Sequence, residues 1–147
     1  MSRLPIILCM LVALLASPGT TVRADNANYT AHLIGDQEVQ AVPVETRAQG
    51  QAILRLNDDG TAYYKLIVAN ITNVKAAHIH LAPEGQSGPV LVGLYSNPSG
   101  AGRYSGILAE GTFTPTEAFL EALEAGNLYF NVHTTQYPAG EIRGQVR

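Results

Sequence analysis

Turn signals punctuate this chain at short intervals, and between them β-branched and aromatic residues alternate with polar ones. That spacing leaves room for strands and for little else. Gln49 to Asn57 alternates, with Ala52, Leu54 and Leu56 on one face and Ile53 and Arg55 on the other. Asp58-Asp59-Gly60 then turns the chain, since glycine tolerates positive φ, and Thr61 to Asn70 returns, so 49–70 is a predicted hairpin. Tyr29–Ile34, Lys75–Leu81, Pro89–Tyr95, Tyr104–Phe113, Leu128–Thr134 and Glu141–Val146 read as further strands, with Gly106 and Gly111 as bulges or points of close approach. The period changes once. Thr114-Pro115-Thr116-Glu117 offers a hydroxyl cap, a proline at the first helical position and a glutamate at the third. Phe119, Leu120 and Leu123 follow at helical spacing, and Gly126 fits the terminating position. The expectation is a mainly β fold: an antiparallel β-sandwich or flattened barrel of about eight strands, with one short helix over 114–125.

The first 24 residues read as a secretory signal: Arg3 supplies the positive start, Ile6 to Ala16 the apolar core, and Val22-Arg23-Ala24 the small residue at the cleavage position. The core is too short to span a bilayer, so membrane attachment would come only through an uncleaved leader. The expected product is secreted or periplasmic, with residues 25–147 as one domain. Its length suffices for a single core. The one cysteine, Cys9, leaves with the leader, so no disulfide and no thiolate metal site is expected. Arg3 and Arg23 leave too, so seven basic residues face twelve acidic ones, a formal net charge of −5. No basic run exists, which argues against nucleic acid as a partner.

Chemistry concentrates in His78-Ile79-His80. A strand aims alternate side chains the same way, so both imidazoles face one side. His133, in Asn131-Val132-His133-Thr134, can join them if strands 75–81 and 128–134 lie side by side. Three imidazole nitrogens with an open position suit copper or zinc, and divalent copper binds tightest in the usual affinity order. The competing reading is that the rings bond backbone carbonyls and hold two strands in register. Ligating histidines commonly give their other N–H to a carboxylate, and Glu141 is the best-placed candidate. Arg143 either supports an anion beside the metal or pairs with a carboxylate to order an edge strand. Tyr129 shares a face with Asn131 and His133 and can line the site. Glu38 can close the long connection 35–48 by accepting backbone hydrogen bonds, and His32 has no patterned partner.

The pieces Gly35-Asp36-Gln37-Glu38-Val39, Ala77-His78-Ile79-His80, Gly85 to Val90, Leu128 to Thr134 and Tyr137 to Val146 together resemble the CHRD domain over residues 29–146. That family was first described in chordin and is widespread in bacterial exported proteins. Gln40-Ala41-Val42-Pro43 departs from it, since many members carry proline sooner after Glu-Val. The resemblance implies a secreted β domain; the histidines add the expectation of a binding module, with a metal ion or an extracytoplasmic protein as partner. A weaker likeness, limited to His-x-His and the architecture, is to copper/zinc superoxide dismutase. This chain lacks that enzyme's acidic, His-rich zinc loop and its disulfide pair. Three readings stand: a copper or zinc buffer or carrier, a metal-dependent redox enzyme, and a structural or protein-interaction domain without metal.

Overall fold

The computed structural model describes residues 27–147, and the expected leader lies outside them. The described residues form strands β1 (Asn28–Ile34), β2 (Gln49–Leu56), β3 (Ala62–Thr72), β4 (Val74–Leu81), β5 (Val90–Ser96), β6 (Arg103–Phe113), β7 (Leu128–Thr134) and β8 (Ile142–Gln145). Helix α1 (Glu117–Glu124) lies between β6 and β7. All eight strands join one antiparallel sheet in the order β5-β4-β7-β8-β1-β2-β3-β6. The sheet curls until β5 and β6, its two edges, approach each other. Of the two expected forms, the chain therefore adopts the flattened, nearly closed barrel.

The hairpin 49–70 forms with Ala52 opposite Leu66 and Leu54 opposite Tyr64. Its second strand runs past Asn70 to Thr72, because Asn70 takes a left-handed φ of 57° and the strand crosses a bulge instead of ending there. Asparagine is among the residues that tolerate this region. Gly106 (φ 143°) sits beside the irregularity on the partner strand. At Gly111 a Cβ would come within 3.1 Å of the Tyr64 hydroxyl, the close approach expected there.

The helix begins later than the spacing 114–125 suggests. Thr116, not Thr114, is the cap: its hydroxyl accepts the Phe119 N–H at 3.2 Å, and its own backbone is extended. Pro115 disfavours helical backbone at Thr114, so the second of the two hydroxyls takes the role. Phe119, Ala122 and Leu123 are buried, whereas Leu120 is only partly so. Phe119 meets Phe113 edge-on at 5.1 Å between centroids.

Inside the barrel, Ala31, Leu33, Ala52, Leu54, Leu66 and Val68 pack against Ala77, Ile79, Leu128, Phe130, Val132 and Ile142. Burial at about 25 cal/mol per Å2 of apolar surface is what drives closure in a domain without a disulfide. With the apolar set of β4, β7 and β8 turned inward, every other residue of those strands faces out. That outer face carries the histidines.

Candidate metal centre

Strands β4 and β7 are antiparallel neighbours, with His80 opposite Tyr129, His78 opposite Asn131 and Ala76 opposite His133. The pairing on which a shared site depends is present. Because Ala77, Ile79, Phe130 and Val132 turn inward, His78, His80, Tyr129, Asn131 and His133 share the outer face. Loops cover that face. His80 is 8 % exposed, Tyr129 4 % and Asn131 2 %.

Ligand atoms of His78, His80 and His133 all lie within 4.8 Å of one another. His80 Nδ1 donates to the Gly88 carbonyl oxygen (3.0 Å), and His133 Nδ1 donates to that of Pro138 (3.0 Å). A carbonyl only accepts, so both neutral rings carry their proton on Nδ1 and present the Nε2 lone pair. His133 Nε2 then accepts from His78 Nδ1 at 3.1 Å. His80 Nε2 is buried and has no hydrogen-bond partner. A buried nitrogen without a partner costs about 1–3 kcal/mol, so this lone pair calls for an explanation.

All three histidines stay neutral to lower pH than a free imidazole. Burial is the main cause in each. For His78 the neighbouring His80 adds to it; for His80 and His133 the carbonyl contact opposes it, and nearby positive charge (Arg143 for the first, the other two imidazoles for the second) lowers it further. Neutral imidazole is the form that binds a metal.

Tyr129 is layered between two side chains from its flanking strands. The His80 ring lies parallel to it (9°, centroids 4.8 Å apart), and the Arg143 guanidinium carbon lies 3.6 Å from its ring centroid. Tyr129 Oη also accepts the Gly88 N–H at 3.3 Å. Arg143 does not order a sheet edge by pairing with a carboxylate: β8 lies inside the sheet, between β7 and β1. Arg143 is 2 % exposed and donates to the carbonyls of Gln86 (2.6 Å) and Pro83 (3.3 Å) and to Gln145 Oε1 (3.2 Å). It thus ties the loop after β4 down over the histidines.

Glu141 is placed otherwise than expected. Its Oε1 accepts from the Thr46 hydroxyl (2.6 Å) and its Oε2 from that of Thr134 (2.7 Å), so it pins the 35–48 connection to β7. The partners of the His80 and His133 N–H groups are carbonyls. Glu38 closes the early connection, but through a side chain: it accepts from Asn131 Nδ2, while Gln40 Nε2 donates to the Gly140 carbonyl. Burial raises the Glu38 pKa to about 7, against the hydrogen bond from Gln40, the charge of Arg143 and the bond from Asn131, which lower it. His32 is exposed on β1, apart from this cluster. Sequence reasoning gave no role to Gly88, Gly140 or Asn131. Gly140 (φ 139°) leaves no room for a Cβ between Asn131 and Glu38. The flanking prolines of Gly88-Pro89 and Pro138-Ala139-Gly140 were the available signals that the backbone is held rigidly there.

The three-histidine group can hold a metal ion: the rings are neutral, the unpartnered Nε2 of His80 is buried within the set, and the donors are all nitrogen. The widest separation exceeds the roughly 3–4 Å that bonds of about 2.0–2.1 Å to one ion impose, while the His78–His133 pair lies within it. No curated protein and no solved structure matches the chain significantly. The sequence profile of the CHRD domain matches residues 29–146, nearly all that the structure describes, and the chain therefore belongs to the CHRD domain family.

Proposed function

We propose that this protein is an exported binding module that holds copper or zinc through His78, His80 and His133 and buffers or carries the metal outside the cytoplasm. One observation carries the reading: His80 Nε2 is buried, unpartnered and grouped with two other imidazoles. Arg143 and Tyr129 support the site from behind, Arg143 through the loop and Tyr129 through its stack on His80. Glu141 stands apart from it, its two oxygens taken by the Thr46 and Thr134 hydroxyls. Export rests on the leader-like residues 1–24. Mass spectrometry of the product recovered outside the cytoplasm, beginning at Asp25, tests it.

Isothermal titration with Cu(II) and Zn(II), of wild type beside His78→Ala/His80→Ala, tests the metal. The expected result is one ion per chain, lost in the variant. No binding of Cu(II), Zn(II) or Cu(I), or equal binding by both proteins, overturns the reading.

A second reading has its own observation. The His78–His133 hydrogen bond at 3.1 Å joins β4 to β7 and can serve register alone, leaving the face to a protein partner. Thermal stability that falls in the histidine variants and ignores metal would favour it.

A further inference from the structure

A three-imidazole site can be biased toward one charge of ion by the groups just behind it. Here those groups carry no negative charge. No carboxylate among the described residues hydrogen-bonds or ion-pairs with any of the three rings; the two N–H groups that reach backbone end on the carbonyls of Gly88 and Pro138. Both oxygens of Glu141 are taken by threonine hydroxyls. A carboxylate on a ligating imidazole adds negative charge that favours a dication, and this set does without it.

Behind the rings lies a permanent cation. Arg143 is buried, stacked on Tyr129, and Tyr129 is stacked on His80. The described residues give it no ion-pair partner within 4.0 Å, and its N–H groups end on two carbonyls and an amide. Two carboxylates act on Arg143 from a distance: Glu38 is occupied with Asn131 and only partly ionised near neutral pH, and Glu84 is paired with Arg147, so each offsets only part of that charge. The repulsion from Arg143 grows with the charge of whatever the rings hold, and partial burial weakens its screening.

Resting on the metal reading above, we propose that the site is built for monovalent copper: three imidazoles, no bonded carboxylate, and the buried Arg143 cation behind His80. Three nitrogen donors satisfy a singly charged copper ion by themselves, whereas zinc in such a site completes its tetrahedron with a water; the discrimination therefore falls to charge. Arg143 acts as a specificity-determining residue through charge, without touching the ion.

The test compares the purified protein's dissociation constants for Cu(I), Cu(II) and Zn(II). Cu(I) is supplied anaerobically from a chromophoric chelator of known affinity. Cu(I) is expected to bind at least tenfold more tightly than either dication. Arg143→Gln is expected to narrow the ratio by on the order of tenfold, an electrostatic effect of one charge at this range. Because a buried arginine is replaced, the wild-type comparison stands by itself should the variant not fold. Dications bound as tightly as Cu(I), or a folded Arg143→Gln protein with an unchanged ratio, would overturn the inference and leave the metal reading standing. No binding of any of the three ions would remove both.

Discussion

Gly88 offers its carbonyl oxygen to His80 Nδ1 at 3.0 Å, and a Cβ on Gly88 would lie 1.7 Å from the Leu81 carbonyl oxygen. The absence of a side chain thus lets the loop after β4 press onto the strand it has just left. In that position it reaches back to set the His80 tautomer. One glycine links the packing of the loop to the chemistry of the ring.

Gly88→Ala should therefore cost more than an ordinary surface substitution. The collision is with backbone, which cannot rotate away, so roughly 2–4 kcal/mol of stability is expected to go. Urea denaturation measures the loss. Metal affinity should fall with it, since His80 is no longer held with Nε2 inward. A stability change under 0.5 kcal/mol would show that the loop is not seated as described.

Glu38 predicts a pH dependence of definite sign. Its folded pKa, about 7, lies above the ordinary carboxyl value of 4.5, so the folded state binds the proton more tightly. Stability contributed by this group is complete below about 4.5 and declines as pH rises through 7. With a discount for partial exposure, the decline is roughly 2–3 kcal/mol. Glu38→Gln should remove it, so the variant gains on wild type between pH 5 and pH 8. Denaturant melts at the two values decide; an equal difference at both would contradict the assignment.

The three histidines act in the opposite direction. Their folded pKa values lie below 6.5, so the unfolded chain takes up protons first as pH falls. Their contribution is intact above 6.5 and erodes below it, down to the folded values. Bound metal should be released over the same acid range. Replacement of all three by asparagine should flatten that limb in thermal melts taken between pH 4.5 and 7. A limb that survives the replacement would place its origin elsewhere.

Thr134→Val separates Glu141 from the rings. The variant strands one oxygen of a buried carboxylate, and about 1–3 kcal/mol should be lost. Metal affinity should change by no more than roughly threefold, or about 0.6 kcal/mol, because neither backbone contact of the imidazoles is touched. A loss of binding comparable to that of His78→Ala would restore Glu141 to the site.

Much of this was legible along the chain, because a strand's period of two needs only neighbouring residues to show itself. His78 and His80 fall on one face by that rule alone, and the apolar alternation of β4 and β7 decides that the face is outward. Helix α1 was legible in kind but not in start, since Thr114 and Thr116 carry the same hydroxyl and only the backbone around Pro115 chooses between them. Along the chain Arg143 reads either as support for an anion beside a metal or as the partner of a carboxylate that orders an edge strand. It is buried instead, because loops cover both its strand and the neighbouring one.

The residues by themselves determined a β chain with one helix and a histidine pair that any strand must aim together, since both follow from local backbone geometry. The meeting of that pair with His133, the carbonyls that choose each ring's proton, and the burial of Arg143 behind Tyr129 belong to the folded barrel. Each depends on strands and loops far apart in sequence coming into register, and that register is set by the closing of the whole sheet around its apolar interior.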